Sequence, residues 1–247
     1  MRIGFCMLCA LSALVFSCAG SNEADYIALL NSAETFSVEK DIYSLDMRME
    51  EHLFQSRILG DQIKIDIGYP AGGHEMKNLP TVYITDGNWR RIDHKYVHYV
   101  SGKKVIPPVI TVGIGYPPGY NFGRIRYRDL LTQPDKFREC VQKEIIPFVE
   151  ARFSCDPEKR ILFGASLGGY FGYYSFFQDA SERNSTFFAY ICSSPAIGSN
   201  VKSSAKTEMI MMEKKLAEAG TPVPFRLFSA CGGLEDPVLF LNPCLLY

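Results

Sequence analysis

An excess of charge of either sign is missing from this 247-residue sequence: 26 Lys and Arg stand against 27 Asp and Glu, a net charge of −1. That balance gives no basis for binding nucleic acid or for electrostatic attraction to a membrane surface. Histidine is scarce, with only His52, His74, His94 and His98, all in the first half of the chain. Beyond residue 20 no cysteine pair has the C-x-x-C spacing of a zinc or redox site. Cys140, Cys155, Cys192, Cys231 and Cys244 are irregularly spaced and do not resemble a disulfide scaffold. Neither a metal nor a cofactor is therefore expected. Internal repeats and dividing linkers are also missing, so the 47% of hydrophobic residues point to one well-buried domain.

The first 20 residues read as an export signal. Arg2 supplies a positive charge, Ile3 to Phe16 is an apolar run too short for a comfortable membrane span, and small residues follow from Ser17 to Ser21. Val15-Phe16-Ser17-Cys18 is similar to a bacterial lipobox, in which Cys18 would be lipidated and attach the chain to a membrane; ordinary signal cleavage is the alternative. The expected location is periplasmic or outer-membrane in a bacterium, and secreted otherwise. Residues 21–50 read as a tether and N-terminal extension, and residues 51–247 as the folded domain.

Within that domain Gln62 to Tyr69 alternates Ile63, Ile65, Ile67 and Tyr69 with Gln62, Lys64, Asp66 and Gly68. Strict alternation predicts a half-buried strand, here part of an antiparallel hairpin at a sheet edge. From Leu79 onward unbroken apolar strands alternate with helices. The strands are Thr81 to Thr85, Val109 to Gly115, Ile161 to Phe163, Phe187 to Cys192 and Pro224 to Ala230. Helical spacing runs over Lys136 to Phe153, and further helices are predicted over Tyr170 to Phe177 and Lys206 to Ala219. This is the pattern of a mostly parallel, doubly wound α/β sheet in three layers, with the site at the C-terminal strand ends.

Gly164-Ala165-Ser166-Leu167-Gly168 lies between a buried strand and a helix, the context that makes G-x-S-x-G a nucleophile elbow. Ser166 is then expected in a strained conformation, above the positive end of the next helix. One oxyanion donor would be the Leu167 N–H. The other should come from Asp86-Gly87-Asn88-Trp89, where Asn88 or Trp89 is the candidate. The orienting acid is expected after the strand ending at Ala230, at Glu235 in preference to Asp236. A catalytic histidine should follow the acid, yet none does. His94 and His98, at i and i+4, lack the Glu of a zinc-binding H-E-x-x-H and read as half-exposed helix residues. His74, in a glycine loop, is a remote candidate.

Several runs resemble the "Putative esterase" family of α/β-hydrolases, which includes siderophore-ester hydrolases, antigen 85 mycolyltransferases and esterase D relatives. They are Pro80 to Asn88, Val112 to Pro117, Arg126 to Thr132, Ile146 to Glu150, Gly164 to Gly169 and Ser193-Ser194-Pro195, and the siderophore-esterase-like branch is the nearest. The resemblance implies a serine carboxylesterase of the α/β-hydrolase fold acting on a small-molecule ester, with Ser166 as nucleophile and the Asp86 to Trp89 loop in the oxyanion hole. Arg126, Arg128 and Asp129 would then lie on a loop beside the cleft, where the arginines either contact substrate or brace the loop through Asp129. The family continues past the acid to a helix and a His-bearing loop. The chain is thus expected either to be truncated, lacking the final strand and helix region, or to be a natural variant without a complete triad. Its activity would be that of an esterase, an acyltransferase, or a ligand-binding remnant.

Overall fold

The computed structural model describes residues 47–197, 203–220 and 222–230. The export signal, Cys18, Glu235 and Asp236 lie outside them.

Seven strands form one sheet in the order β1-β2-β4-β3-β5-β6-β7. β1 (Met47–Gln55) and β2 (Gln62–Pro70) make the antiparallel hairpin, with Met47 opposite Pro70 and Gln55 opposite Gln62. β1 takes in Met47 to Glu50, residues assigned above to the extension. β3 (Leu79–Ile84), β4 (Ile110–Gly115), β5 (Cys155–Ala165), β6 (Ala189–Ser193) and β7 (Arg226–Ala230) are parallel, and β2 joins them antiparallel to β4.

Alternate residues of the central strands feed two cores. Val82, Ile84, Ile161, Phe163, Ala189 and Ile191 point to one face, where Val97 and Val100 of α1 (Arg91–Gly102) cover them. Tyr83, Val112, Leu162, Tyr190 and Cys192 point to the other. That second face carries α2 (Phe122–Tyr127), α3 (Pro134–Cys140), α4 (Ile146–Glu150), α5 (Leu167–Glu182) and α6 (Ser203–Ala219). Each fully buried aliphatic or aromatic side chain contributes about 1.5–3 kcal/mol, which makes this second, larger core the main source of stability.

The helix expected over Lys136 to Phe153 is broken by a π turn at Val141–Ile145 between α3 and α4. Pro147 stands at the start of α4; without an N–H it cannot continue the i→i−4 ladder, and a wider turn absorbs the mismatch.

The polar face of β2 is only partly solvent-exposed: Gln62 is exposed, but Asp66 and Gly68 are buried, and His94 and His98 of α1 pack over Gly68. His94 and His98 are buried, at 0% and 6% exposure, which corrects the half-exposed reading. Gly68 and Gly113 make the room: a Cβ on Gly113 would stand 2.7 Å from His94 Nε2, and one on Gly68 would stand 3.2 Å from His98 Nε2. The two rings share a hydrogen bond to Thr111 Oγ1, at 2.7 and 3.1 Å. No trio of His, Cys, Asp or Glu among the described residues is placed to hold a metal ion.

Burial, helped by the nearby positive charges of His98, Arg91 and Lys64, pushes the His94 pKa from 6.5 down to about 3. Burial likewise takes His98 to about 4. Their contribution to stability is complete above pH 6.5 and lost as pH falls toward these values, because only the unfolded chain takes up the protons. Asp93, raised by burial to about 6 against the pull of Arg90, acts the other way: its contribution is complete below 3.8 and lost as pH rises through 6. Between pH 4 and 6 the three groups together leave about one extra proton on the unfolded chain, a slope of about 1.4 kcal/mol per pH unit. His98→Gln is expected to flatten the dependence of the unfolding free energy on pH, read from urea titrations, by about that amount relative to wild type; an unchanged slope would contradict it.

Candidate active site

The chain runs from β3 to β4 on one side and returns to place β5 on the other side of β3. Ligand sites of open α/β sheets lie at such a switch point. Two loops emerge there from neighbouring strands: Asp86 to Trp89 after β3, and Ser166 after β5.

Ser166 has φ 58° and ψ −119°, a conformation that costs a non-glycine residue about 1–3 kcal/mol. Its surroundings hold it there. The Ser166 N–H donates to Ser193 O at 3.0 Å, while its carbonyl accepts from Tyr170 N at 3.0 Å and Ala196 N at 2.9 Å. The chain crosses itself so closely that a Cβ on Gly164 would stand 2.1 Å from Gly168 O, and one on Gly168 2.1 Å from Thr85 Oγ1. The side chain of Ser166 is exposed and makes no capping bond to α5. That helix begins at Leu167, three residues earlier than the sequence suggests. The N–H groups of its first turn have no partners within the helix, and its dipole places partial positive charge beside the hydroxyl.

On the facing loop Asp86 also has a positive φ, of 60°. Its carbonyl accepts from Trp89 N at 2.9 Å and Arg90 N at 3.2 Å. The Trp89 N–H thus bonds within the turn, to the Asp86 carbonyl. Among the described residues Asn88 N–H has no backbone acceptor. The Asn88 side chain fixes it in place, donating to Tyr116 O at 2.6 Å and accepting from Tyr116 N at 2.7 Å. Gly87 has to be glycine, since a Cβ there would stand 2.8 Å from the Gly113 carbonyl carbon. The Trp89 ring is 63% exposed. It lies against Phe122, with centroids 3.9 Å apart, and the Arg126 guanidinium is 5.4 Å from its centre.

Arg128 makes the bracing contact to Asp129, while Arg126 takes a different partner. Arg126 pairs with Asp86, through Nε at 2.6 Å and Nη2 at 3.0 Å. Arg128 holds Asp129 at 2.6 Å and Asp61 at 2.5 Å, so it ties the α2 region to the hairpin turn. Nothing in the spacing of the chain announces the pair between Asp86 and Arg126; the only local hint is the Asp-Gly turn.

None of the four histidines hydrogen-bonds to Ser166 among the described residues. His52 and His74 meet Glu50, each at 3.1 Å, beside the hairpin, and His94 and His98 meet Thr111.

Fold and elbow define an α/β-hydrolase. The "Putative esterase" family model matches residues 56–197, and the chain belongs to that family. It is 26% identical over 214 residues to the ferri-bacillibactin esterase BesA of Bacillus subtilis, covering 76% of this chain and 71% of that protein. The BES protein from Bacillus cereus superposes with a TM-score of 0.63 at 27% identity, covering 76% of this chain and 75% of that one. The siderophore hydrolase EstB from Aspergillus nidulans shares the fold, with a TM-score of 0.63 at 24% identity and coverage of 78% and 72%. An esterase-type hydrolase of the siderophore-esterase-like branch follows.

Proposed function

We propose that this protein is an exported serine esterase that cleaves siderophore-type carboxylic esters through an acyl-enzyme on Ser166. The observation that carries the reading is the strained, exposed Ser166 at the start of α5, beside the neighbouring β3 loop whose Asn88 N–H has no backbone acceptor among the described residues. Ser166 Oγ bonds to the ester carbonyl carbon, the charge on the carbonyl oxygen is met by the Leu167 and Asn88 N–H groups, and the alcohol departs with the hydroxyl proton. Water then attacks the acyl carbon and releases the acid and free Ser166. Glu235 is the proposed acid and residues 1–20 the proposed export signal. The exposed Trp89 beside Phe122 suits an aromatic acyl group.

A second reading, ligand binding without efficient turnover, is favoured by the placement of all four histidines away from Ser166. Without a histidine base a triad enzyme retains only about 10³ to 10⁴-fold catalysis over water. Steady-state hydrolysis of a catecholate tri-ester by wild type and Ser166→Ala separates the readings. Saturable turnover lost in Ser166→Ala supports the esterase. Saturable binding with turnover equal in both proteins would leave the binding reading standing.

A further inference from the structure

We infer that Arg126 is a positioning residue: by clamping the Asp86 carboxylate it sets the turn that presents the Asn88 N–H, and it does not hold the substrate. This rests on the proposed role of Ser166 and its oxyanion hole.

The turn is held at three points. Gly87 N donates to Ile114 O at 2.8 Å, and the Asn88 side chain spans Tyr116 in both directions. The third hold is the two-pronged contact from Arg126 to Asp86, with side chains only 13% and 3% exposed. A carboxylate this buried is tolerated because the guanidinium fork satisfies both oxygens. Deprived of its partner, Asp86 has to move toward water. It has little freedom to do so quietly: its carbonyl anchors the turn, its backbone is in the left-handed region, and Oδ2 lies 3.3 Å from where a Cβ on Gly168 would stand. One displacement therefore disturbs the Asn88 loop and the elbow together. The guanidinium also faces Trp89, so the Asp86 to Trp89 loop contacts it through both ends.

Trp89 is the only tryptophan in the sequence, so its fluorescence reports this turn without an engineered probe. In the full chain, acrylamide quenching and anisotropy of Trp89 would be compared for wild type, Arg126→Ala, Arg126→Lys, Asp86→Ala and the double alanine variant. The rate at which a small uncharged fluorophosphonate labels Ser166 would be measured alongside. Either alanine variant is expected to loosen Trp89 and to slow labelling about 10²-fold, the cost of misplacing a catalytic group by about an ångström. The double variant should be no worse than the weaker single one. Lysine should not restore the rate, because it lacks the fork. An uncharged probe gives Arg126 no anion to bind. Unchanged labelling in Arg126→Ala, with Trp89 undisturbed in Asp86→Ala, would overturn the inference. Should the alanine variants lose their far-ultraviolet dichroism, Asp86→Asn keeps the shape and removes the charge, and the same two readouts decide. If Ser166 in the wild type resists the probe, the proposed function fails, and the Trp89 measurements still decide whether the clamp exists.

Discussion

Replacing Gly164 by alanine is expected to abolish reaction at Ser166, with a loss of at least about 10²-fold, and to destabilise the domain by about 1–3 kcal/mol or more. The new methyl would stand 2.1 Å from Gly168 O, 2.3 Å from Gly168 C and 2.9 Å from Thr85 Oγ1. The first two are backbone atoms of the opening turn of α5, so no rotamer change relieves the clash. Either the elbow opens, moving the Leu167 N–H away from the position of the oxyanion, or β5 shifts against β3 and carries the Asp86 loop with it. Gly102→Ala is the matching control: it lies in α1 with nothing within 4 Å of the added carbon and should leave both reactivity and stability near wild type. Phosphonate labelling and urea unfolding of the two variants provide the comparison.

Asp179→Ala is expected to cost about 3–5 kcal/mol, the penalty for breaking one side of a buried charge pair. Asp179 is fully buried in α5. It accepts from Arg138 Nη2 and Tyr190 OH, from Thr186 N at 3.0 Å, and from Thr186 Oγ1 at 3.2 Å. It thus joins α3, α5, β6 and the loop between the last two. Its removal leaves the Arg138 guanidinium, 8% exposed, with Glu182 as its remaining carboxylate. Against a typical domain stability of about 5–15 kcal/mol, that is a large fraction, read as a fall in urea midpoint with little change in slope. A shift under about 1 kcal/mol, the net worth of an ordinary hydrogen bond, would show that the cluster is not coupled.

Much of this was legible in the sequence. The alternation at Ile63, Ile65 and Ile67 and the unbroken apolar runs of β3 to β6 identify strands because periodicity reflects which faces are buried. The Gly-x-Ser-x-Gly spacing identifies the elbow because only glycine fits where the chain crosses itself. The missing parts depend on distant contacts. Which part of a strand's polar face is covered, as with Gly68 against His94 and His98 of α1, is decided by a helix that the strand's own pattern does not encode. The pairing of Arg126 with Asp86 spans residues far apart in the chain, whereas the brace to Asp129 that the resemblance offered is made by Arg128. The turn hydrogen bond from Trp89 N to the Asp86 carbonyl, which separates two adjacent N–H groups, is likewise not readable from composition.

The most direct test of the account is mass spectrometry of the chain after exposure to an uncharged fluorophosphonate, with the modified peptide sequenced. The account requires a single adduct, on Ser166, formed faster than on a serine peptide in free solution and missing from Ser166→Ala. No adduct, or one placed on another residue, would contradict it.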